Sequence, residues 1–397
     1  MRFTVSPRGS SGRARVGALF VGDSPIPIET PALLLSTKKG LPVFLSRDLL
    51  SSLSSPNPSL LHVSPVHFLE GPTPSVISSI GGLHNMLALQ NCIFVASSRD
   101  AIESLPESIC ANKLGASFET PGGRRLIKPS DYMEVISSLK ANFWASLADE
   151  VPSWVSEKRN KLSVDRTVQW LDNCIALDKA GGTNIFGSIV GGSNVEERRR
   201  CAAEVAKRNV SGFFIGGFGL GESMEERPRL LSAVLDKLPK EKPRQISGLD
   251  LPEEVLQGVA AGIDLFDSMY IYQLTIGGFA LVFPLDILKG QKFSIQLVDG
   301  VDATKINLRA TVYRRDTSPL VDNCSCYTCQ NHSRAYLNHL LNVHEMLAQI
   351  LLEIHNTHHC LGFFNSIREA IKCDKFDLFC KMFIEGRRAH LTTSLSS

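Results

Sequence analysis

Short apolar runs alternate with amphipathic stretches along the chain from about residue 130 onward. Asn184–Val190 and Gly212–Ile215 are apolar runs of strand length, and a pair of glycines follows each of them. Asp165–Ala180 and Asn194–Arg208 carry apolar residues at helical spacing, with charged residues between them. Strand and helix recur at a period of roughly 25–35 residues, which is typical of βαβ units around a parallel sheet.

The residues at the ends of these apolar runs are glycine-rich or acidic. Gly191-Gly192 and Gly216-Gly217 follow two of the runs, and a third run, Gly262–Met269, contains Asp264 and Asp267. In a (β/α)8 barrel the carboxyl ends of the strands form the binding face. The period alone fits a (β/α)8 barrel and a doubly wound sheet equally well, so it predicts an α/β fold without choosing between the two.

The two ends of the chain have different patterns. Residues 1–74 are rich in Pro, Ser and Gly, which predicts strands and turns with few long helices. Near the other end, Arg334–Asn356 has the apolar spacing of one continuous helix. We therefore expect residues 318–397 to form a region of their own, in which helices follow a cysteine cluster.

Composition excludes several classes of protein. Of the 397 residues, 43% are hydrophobic and 21% are charged, as in a soluble globular protein. The formal net charge of +2 gives no global basic field, so any contact with nucleic acid has to be local. The apolar stretch Val255–Leu285 contains two aspartates, which predicts no membrane span. The residues before Asp23 lack an apolar core of signal-peptide length, so we expect a cytoplasmic protein.

Three of the ten cysteines, Cys324, Cys326 and Cys329, lie within six residues, and the other seven are scattered. Tetrahedral zinc takes four soft or borderline ligands, and three thiolates with one imidazole satisfy it. Spacing does not choose the fourth ligand among the six histidines that follow, which are His332, His339, His344, His355, His358 and His359. Because no carboxylate accompanies the cysteines, we expect a structural zinc ion.

The residues after this cluster add a resemblance to a known family. His332–Leu337 and Leu351–Asn356 resemble the zinc region of the tRNA-guanine transglycosylases. Further stretches similar to motifs of that family occur in the same order at Glu29–Ala32, Ile215–Glu222 and Pro252–Asp267. The resemblance implies one zinc ion per subunit, with His355 as its fourth ligand. It also implies a (β/α)8 barrel in residues 1–317, including the β-rich N-terminal segment, and a zinc-binding subdomain with C-terminal helices in residues 318–397.

Members of this family exchange guanine in a tRNA anticodon for a 7-deazaguanine base. One carboxylate attacks the ribose carbon, a second moves protons, and a third recognises the base. By resemblance, Asp267 occupies the position of the nucleophile and Asp149 that of the base-recognition carboxylate. The sequence of this chain therefore retains two of the three carboxylates.

The third carboxylate and much of the pocket are replaced. Ala96 stands at the position of the proton-moving aspartate, and Ser98 and Arg99 stand where the family has paired glycines. Val190 replaces a glutamine of the pocket, and the residues from Asp267 to Thr275 include no cation. General acid–base catalysis contributes roughly 100- to 10,000-fold, so the change at position 96 alone predicts a severe loss.

An intact cysteine motif with a dismantled pocket resembles the accessory, non-catalytic subunits of eukaryotic queuine tRNA-ribosyltransferases. The resemblance implies a heterodimer with the catalytic subunit and contact with tRNA through that complex. The role would be to support exchange of guanine for queuine at the wobble position of tRNAs with GUN anticodons. Some members associate peripherally with the mitochondrial outer membrane. Two alternatives stay open: an active base-exchange enzyme with Asp267 as nucleophile, and a zinc-stabilised scaffold without an RNA role.

Overall fold

The computed structural model describes residues 1–6, 12–22, 26–53, 60–100, 102, 106–178, 184–293 and 304–393. The chain divides into two compact units. The first unit comprises Met1–Pro42 and Asn57–Met269, and the second comprises Val43–Pro56 and Tyr270–Ser397. The division at residues 317 and 318 remains a prediction about domains.

The strands are β1 Arg2–Val5, β2 Gly17–Phe20, β3 Ile28–Thr30, β4 Ala32–Ser36, β5 Leu60–Val63, β6 Ile93–Ala96, β7 Pro106–Asn112, β8 Gly115–Thr120, β9 Gly123–Ile127, β10 Phe143–Ala145, β11 Ile185–Ile189, β12 Gly212–Ile215, β13 Arg244–Ile246, β14 Leu265–Ser268, β15 Phe279–Leu281 and β16 Lys305–Asn307. The helices are α1 Arg47–Ser52, α2 Pro74–Ile80, α3 Leu83–Leu87, α4 Pro129–Leu139, α5 Glu157–Leu177, α6 Val195–Ala206, α7 Arg227–Leu235, α8 Pro252–Ala261, α9 Tyr270–Gly277, α10 Tyr327–Asn331, α11 Arg334–Asn342, α12 Leu347–Lys372 and α13 Phe376–Thr393.

Eight parallel strands of the first unit close into a barrel, in the order β10-β11-β12-β13-β14-β4-β5-β6. Closure depends on the pairing of β14 with β4 and of β10 with β6, which are distant in sequence. Helices precede or follow most of these strands, as in a (β/α)8 barrel. The predicted barrel is therefore confirmed, and a doubly wound sheet is excluded because that sheet stays open.

The amino-terminal end of the barrel is closed by the antiparallel sheet β1-β2-β3. Leu19 and Ile28 of this sheet belong to one buried apolar cluster with Leu60, Phe143 and Leu265, which lie at the starts of barrel strands. Because the barrel is closed, its strands leave no free backbone edge. The sheet β1-β2-β3 therefore covers this end by packing its side chains against those of the barrel strands. The carboxyl ends of the strands, with their polar residues, lie at the opposite end.

The second unit is built around the long helix α12 and the hairpin β15-β16. Its core includes Leu337, Leu341, Leu351 and Leu352 from α11 and α12. The single helix predicted for Arg334–Asn356 is wrong, since α11 and α12 are separate. His344 lies between them with a φ of 61°, a left-handed conformation that cannot continue an α-helix. Within the described residues, the structure has no helix that is both long and apolar enough to cross a bilayer.

A buried ion pair joins the N-terminal segment of the first unit to the barrel. The Arg15 guanidinium donates to both carboxylate oxygens of Asp264, at 2.9 and 2.5 Å, and the backbone N–H of Arg244 donates to the same carboxylate at 2.8 Å. Asp264 is fully buried. When a buried ion pair loses one partner, the other charge stays buried without compensation. Mutation of either residue of this pair should therefore destabilise the fold.

We expect Asp264→Ala to lower the free energy of unfolding by about 3–5 kcal/mol, because Arg15 then stays buried without its carboxylate. The exposed pair between Arg13 and Asp236 provides a matched control. Asp236→Ala should cost less than about 1 kcal/mol, because water already solvates that pair. Urea denaturation of the two variants measures both values, and equal losses would contradict the assignment.

Candidate metal centre and barrel-end site

Three cysteines and one histidine of the second unit converge on one point. One donor atom from each of Cys324, Cys326, Cys329 and His355 lies within 4.8 Å of all the others. Cys326 is the N-cap of α10, and its sulfur accepts a hydrogen bond from the Cys329 N–H at 3.4 Å. This turn places the cysteines together, and α12 brings His355 to them from outside the loop. The donor set and its size are compatible with tetrahedral zinc.

The imidazole of His355 is held in one orientation. Its Nδ1 faces the sulfurs of Cys326 and Cys329, at 3.5 and 3.4 Å. Its Nε2 lies 2.8 Å from the carbonyl oxygen of Leu281 in β15, so Nε2–H donates to that oxygen. Fixing one ring nitrogen by a backbone carbonyl is how metal-binding histidines are usually oriented. The described cluster includes His355 and none of the other five candidate histidines.

The charges of this cluster favour a cation at its centre. Burial favours the neutral imidazole, but hydrogen bonds with Cys324 and Cys329 outweigh it and raise the pKa of His355 to about 9. Hydrogen bonds from Cys326 and Cys329 lower the pKa of Cys324 far below its ordinary value. The cluster thus holds negative charge on sulfur next to a bound proton, and a metal ion competes with that proton for the same donors.

Asp267 lies in β14 at the carboxyl end of the barrel and is 3% exposed. The hydroxyl of Ser247, which follows β13, donates a hydrogen bond to its carboxylate. Burial raises the pKa of Asp267 to about 7, and the nearby charge of Asp250 acts in the same direction. The retained carboxylate is therefore present at the barrel end, and near neutral pH a large fraction of it carries a proton.

The predicted replacements occupy buried positions at the same end. Ala96 ends β6 and Val190 follows β11, and both are fully buried. Next to Ala96, the Nε2 of His62 lies 2.7 Å from the Ser97 hydroxyl. Burial lowers the pKa of His62 to about 4, so this histidine is neutral at physiological pH. His62 was missed from sequence because a lone histidine in β5 carries no motif.

The carboxylate of Asp149, which follows β10, accepts hydrogen bonds from two arginines of α5. Arg159 donates to both of its carboxylate oxygens, at 2.7 and 2.8 Å, and Arg166 donates to one of them at 3.1 Å. The Asp149 side chain is 1% exposed. The bidentate contact with Arg159 and the further bond from Arg166 use most of the acceptor capacity that this carboxylate would offer to a ligand. Sequence reasoning missed both arginines, because only the fold shows that they pair with Asp149.

The neighbouring carboxylate, Glu150, is paired with Arg99. The Arg99 Nη1 lies 3.0 Å from Glu150 Oε2, and its Nη2 donates to the carbonyl of Phe218 at 3.3 Å. The backbone N–H of Gly217 donates to the same Glu150 oxygen at 2.6 Å. Gly217 has a φ of +70°, which glycine adopts without strain and which aims its N–H at the carboxylate. Arg99 therefore links Glu150 to the loop that follows β12.

The glycine-rich loops after β11 and β12 are held together by Arg198. Its guanidinium donates to the carbonyls of Gly192, Gly216 and Gly217 at 2.8, 2.8 and 2.9 Å, and it lies 4.0 Å from the centre of the Phe218 ring. Burial lowers the pKa of Arg198 to about 10, which leaves it charged at neutral pH. These contacts cross-link both loops by a side chain.

In the second unit, a cation lies beside the segment that follows Asp267 in sequence. The Lys305 ammonium of β16 is 3.2 Å from the hydroxyl of Tyr270 and 5.3 Å from the centre of its ring. Sequence reasoning found no cation between Asp267 and Thr275, which is correct for that segment. The cation beside this segment comes instead from Lys305 of β16, which contacts Tyr270.

The fold and the Cys3His cluster place the chain among (β/α)8-barrel proteins that carry a candidate metal-binding cluster outside the barrel. The family described as queuine tRNA-ribosyltransferase matches residues 10–389 of the chain. The chain therefore belongs to this family, the tRNA-guanine transglycosylases, and the resemblance seen in its motifs is confirmed.

Relatives of two kinds occur. Queuine tRNA-ribosyltransferase accessory subunit 2 of Homo sapiens is 37% identical over 324 residues, which cover 74% of this chain and 78% of that protein. The protein of the same name from Ixodes scapularis is 34% identical over 392 residues, covering 93% and 97%. The queuine tRNA-ribosyltransferase of Synechococcus elongatus is 32% identical over 357 residues, covering 88% and 86%. Similarity over most of the chain thus extends to proteins named as accessory subunits and to a protein named as the transferase.

The raised pKa of Asp267 predicts a dependence of stability on pH. In the unfolded chain Asp267 ionises near its ordinary pKa of 3.8, whereas in the fold it keeps its proton up to about 7. The unfolded state loses its proton first as the pH rises between these values, so the wild-type chain loses stability across this window. Asp267→Asn removes the ionisation and should be more stable than wild type above pH 7, by up to about 4 kcal/mol.

Chemical denaturation of both proteins from about pH 5 to about pH 8 measures this difference. Asp48→Asn is the matched control, since the Asp48 side chain is 89% exposed and should give no gain over the same window. A difference between Asp267→Asn and wild type that stays constant with pH would show that the Asp267 carboxylate is ionised throughout.

Proposed function

We propose that this chain is a non-catalytic subunit of a queuine tRNA-ribosyltransferase. The observation that carries the proposal is Ala96, a fully buried methyl group at the strand end where the family's proton-moving aspartate stands. Base exchange needs a proton for the departing base and removal of one from the incoming base. His62, whose imidazole contacts the Ser97 hydroxyl next to Ala96, has a pKa lowered by burial to about 4 and is therefore neutral at physiological pH.

The state of the other carboxylates supports the same proposal. Arg159 and Arg166 donate hydrogen bonds to both oxygens of Asp149, so most of the acceptor capacity of this carboxylate is used within the chain. Arg198 ties down the glycine-rich loops that would form the walls of the pocket. Asp267 remains, but a nucleophile alone does not make a turnover site.

For the metal, we propose that Cys324, Cys326, Cys329 and His355 hold one structural Zn²⁺. The donor set fits this ion, because three thiolates and one oriented imidazole complete a tetrahedral shell without an open position. The ion would contribute folding free energy by tying the cysteine turn to α12. The first two turns of α12 carry part of the core of the second unit, so loss of the ion would loosen that core.

For the partner, we propose a heterodimer with the catalytic subunit, through which the chain contacts tRNA. Relatives named as accessory subunits support this proposal. Between residues 312 and 347, the part of the second unit that includes the three cysteines, large apolar side chains are exposed, namely Val312, Tyr327, Tyr336, Val343, Met346 and Leu347. Exposed apolar groups of this kind are typical of a protein interface. We place the complex in the cytoplasm, with peripheral association at the mitochondrial outer membrane.

The role of the complex would be exchange of guanine for queuine at the wobble position of tRNAs with GUN anticodons. We expect this chain alone to give no exchange, the catalytic subunit alone to give little, and the mixture to be active. The measurement is incorporation of labelled guanine into such a tRNA by each protein and by the mixture. Exchange by this chain alone would contradict the proposal.

A second candidate, an active base-exchange enzyme, is favoured by the buried Asp267 and by the relative named as a full transferase. It requires a covalent adduct between Asp267 and the ribose of the tRNA. Trapping on denaturing gels separates the candidates: adduct with wild type that is lost in Asp267→Asn would support the second candidate, and equal behaviour of the two proteins would remove it.

The metal assignment predicts that two histidine variants differ. His355→Gln should lose zinc, lower the midpoint of thermal unfolding and weaken association with the catalytic subunit, because the fourth donor is gone. His339→Gln removes an exposed histidine of α11 outside the cluster and should keep its metal. Elemental analysis of the purified proteins measures zinc per chain, and full zinc content in His355→Gln would overturn the assignment.

A further inference from the structure

Arg99 is a buried cation at the carboxyl end of the barrel. It follows β6 directly, and only 5% of it is exposed. Its planar guanidinium spans two acceptors on different loops, the carboxylate of Glu150 and the carbonyl of Phe218. Its charge also acts on Asp267, where it opposes the rise of the pKa caused by burial. The guanidinium therefore lies among the strand ends, next to the retained carboxylate.

The chemistry of this arrangement defines a class of ligand. A guanidinium presents coplanar N–H donors to a carboxylate and a carbonyl. Guanine contains the same group in its ring, since N1–H and the N2 amino group form a guanidine edge. Acceptors that are placed to bind the guanidinium of an arginine are therefore also placed to bind this edge of guanine. Adenine lacks this edge, because its N1 is an acceptor.

We propose that the Arg99 side chain is an internal surrogate for a guanine-type base, bound to acceptors that would otherwise hold such a base. This inference rests on the proposed non-catalytic function and adds to it a reason for the arginine. With Arg99 in place, the chain cannot bind the free base at this site and does not withdraw it from a catalytic partner. Glu150 remains satisfied without any ligand, because Arg99 and Gly217 both donate to it.

Truncation of Arg99 should expose these acceptors. In Arg99→Ala, Glu150 keeps the Gly217 N–H but loses its cation, and the carbonyl of Phe218 loses its donor. A buried acceptor without a donor is unfavourable, so the variant should bind small molecules that restore the donors. Ethylguanidinium replaces the missing part of the arginine, and guanine replaces its donor edge within a base.

The test is equilibrium dialysis of the full-length chain with tritiated guanine, and with tritiated adenine as the comparison. We expect Arg99→Ala to bind guanine at least about tenfold more tightly than it binds adenine, because adenine leaves a charged acceptor unpaired. The wild-type chain should bind neither base. Ethylguanidinium should raise the midpoint of thermal unfolding of Arg99→Ala and leave that of wild type unchanged.

Arg227→Ala is the matched control. Arg227 is also buried and pairs with two carboxylates, Glu222 and Glu254, but it belongs to α7 and pairs within the helical layer. Ethylguanidinium should stabilise both variants, because each loses a buried guanidinium, so guanine is the deciding probe. Binding of guanine to Arg99→Ala and not to Arg227→Ala supports the proposal. Rescue of Arg99→Ala by ethylguanidinium without binding of guanine overturns it, since Arg99 is then a structural ion pair.

If Arg99→Ala does not fold alone, the same probes are added during refolding, and recovery of the fold with guanine replaces the binding measurement. Failure to recover with guanine overturns the proposal in that case as well. Failure of this inference and failure of the proposed function can be told apart by experiment. Exchange by the wild-type mixture tests the subunit role without any Arg99 variant, and dialysis tests the surrogate without the partner.

Discussion

A carboxylate buried away from water needs a cation or a proton, and this constraint determines the carboxyl end of the barrel. Asp149 takes two arginines from α5, and Glu150 takes Arg99. Asp267 has no arginine in direct contact among its described hydrogen bonds and shares a hydrogen bond with Ser247, so it takes a proton at a pKa of about 7. Asp149, Glu150 and Asp267 are thus each balanced by an arginine or by a proton.

The constraint also separates the two units. In the second unit the crowded thiols of Cys324, Cys326 and Cys329 concentrate negative charge, which the imidazole of His355 balances in part. Such a cluster is complete when an external cation binds, which links its retention to folding. The barrel end needs no external group, because its charges are already paired. The second unit thus carries a donor set compatible with a metal ion, whereas Asp149 and Glu150 at the barrel end are paired with arginines of the chain itself.

Much of the fold could be predicted from the sequence because local patterns determine it. The run Gly212–Ile215 is the strand β12 to the residue, and Asn194–Arg208 is close to α6. Closure of the barrel could not be predicted from the period, since it depends on pairs such as β14 with β4 that are distant in sequence. The break at His344 was missed because the apolar spacing continues across it, while the backbone conformation does not.

The candidate sites divide in the same way. The cysteines were evident from spacing, whereas His355 required the family resemblance, because a tertiary contact between α12 and the cysteine turn selects it. The loss at Ala96 could be inferred from the sequence, but the arginines that neutralise Asp149 could not. A substitution that deletes a functional group is visible in one residue, and a pairing that blocks a retained group is visible only when the fold brings both residues together. For this reason the retained carboxylates argue for activity when taken from sequence alone, and their partners argue against it.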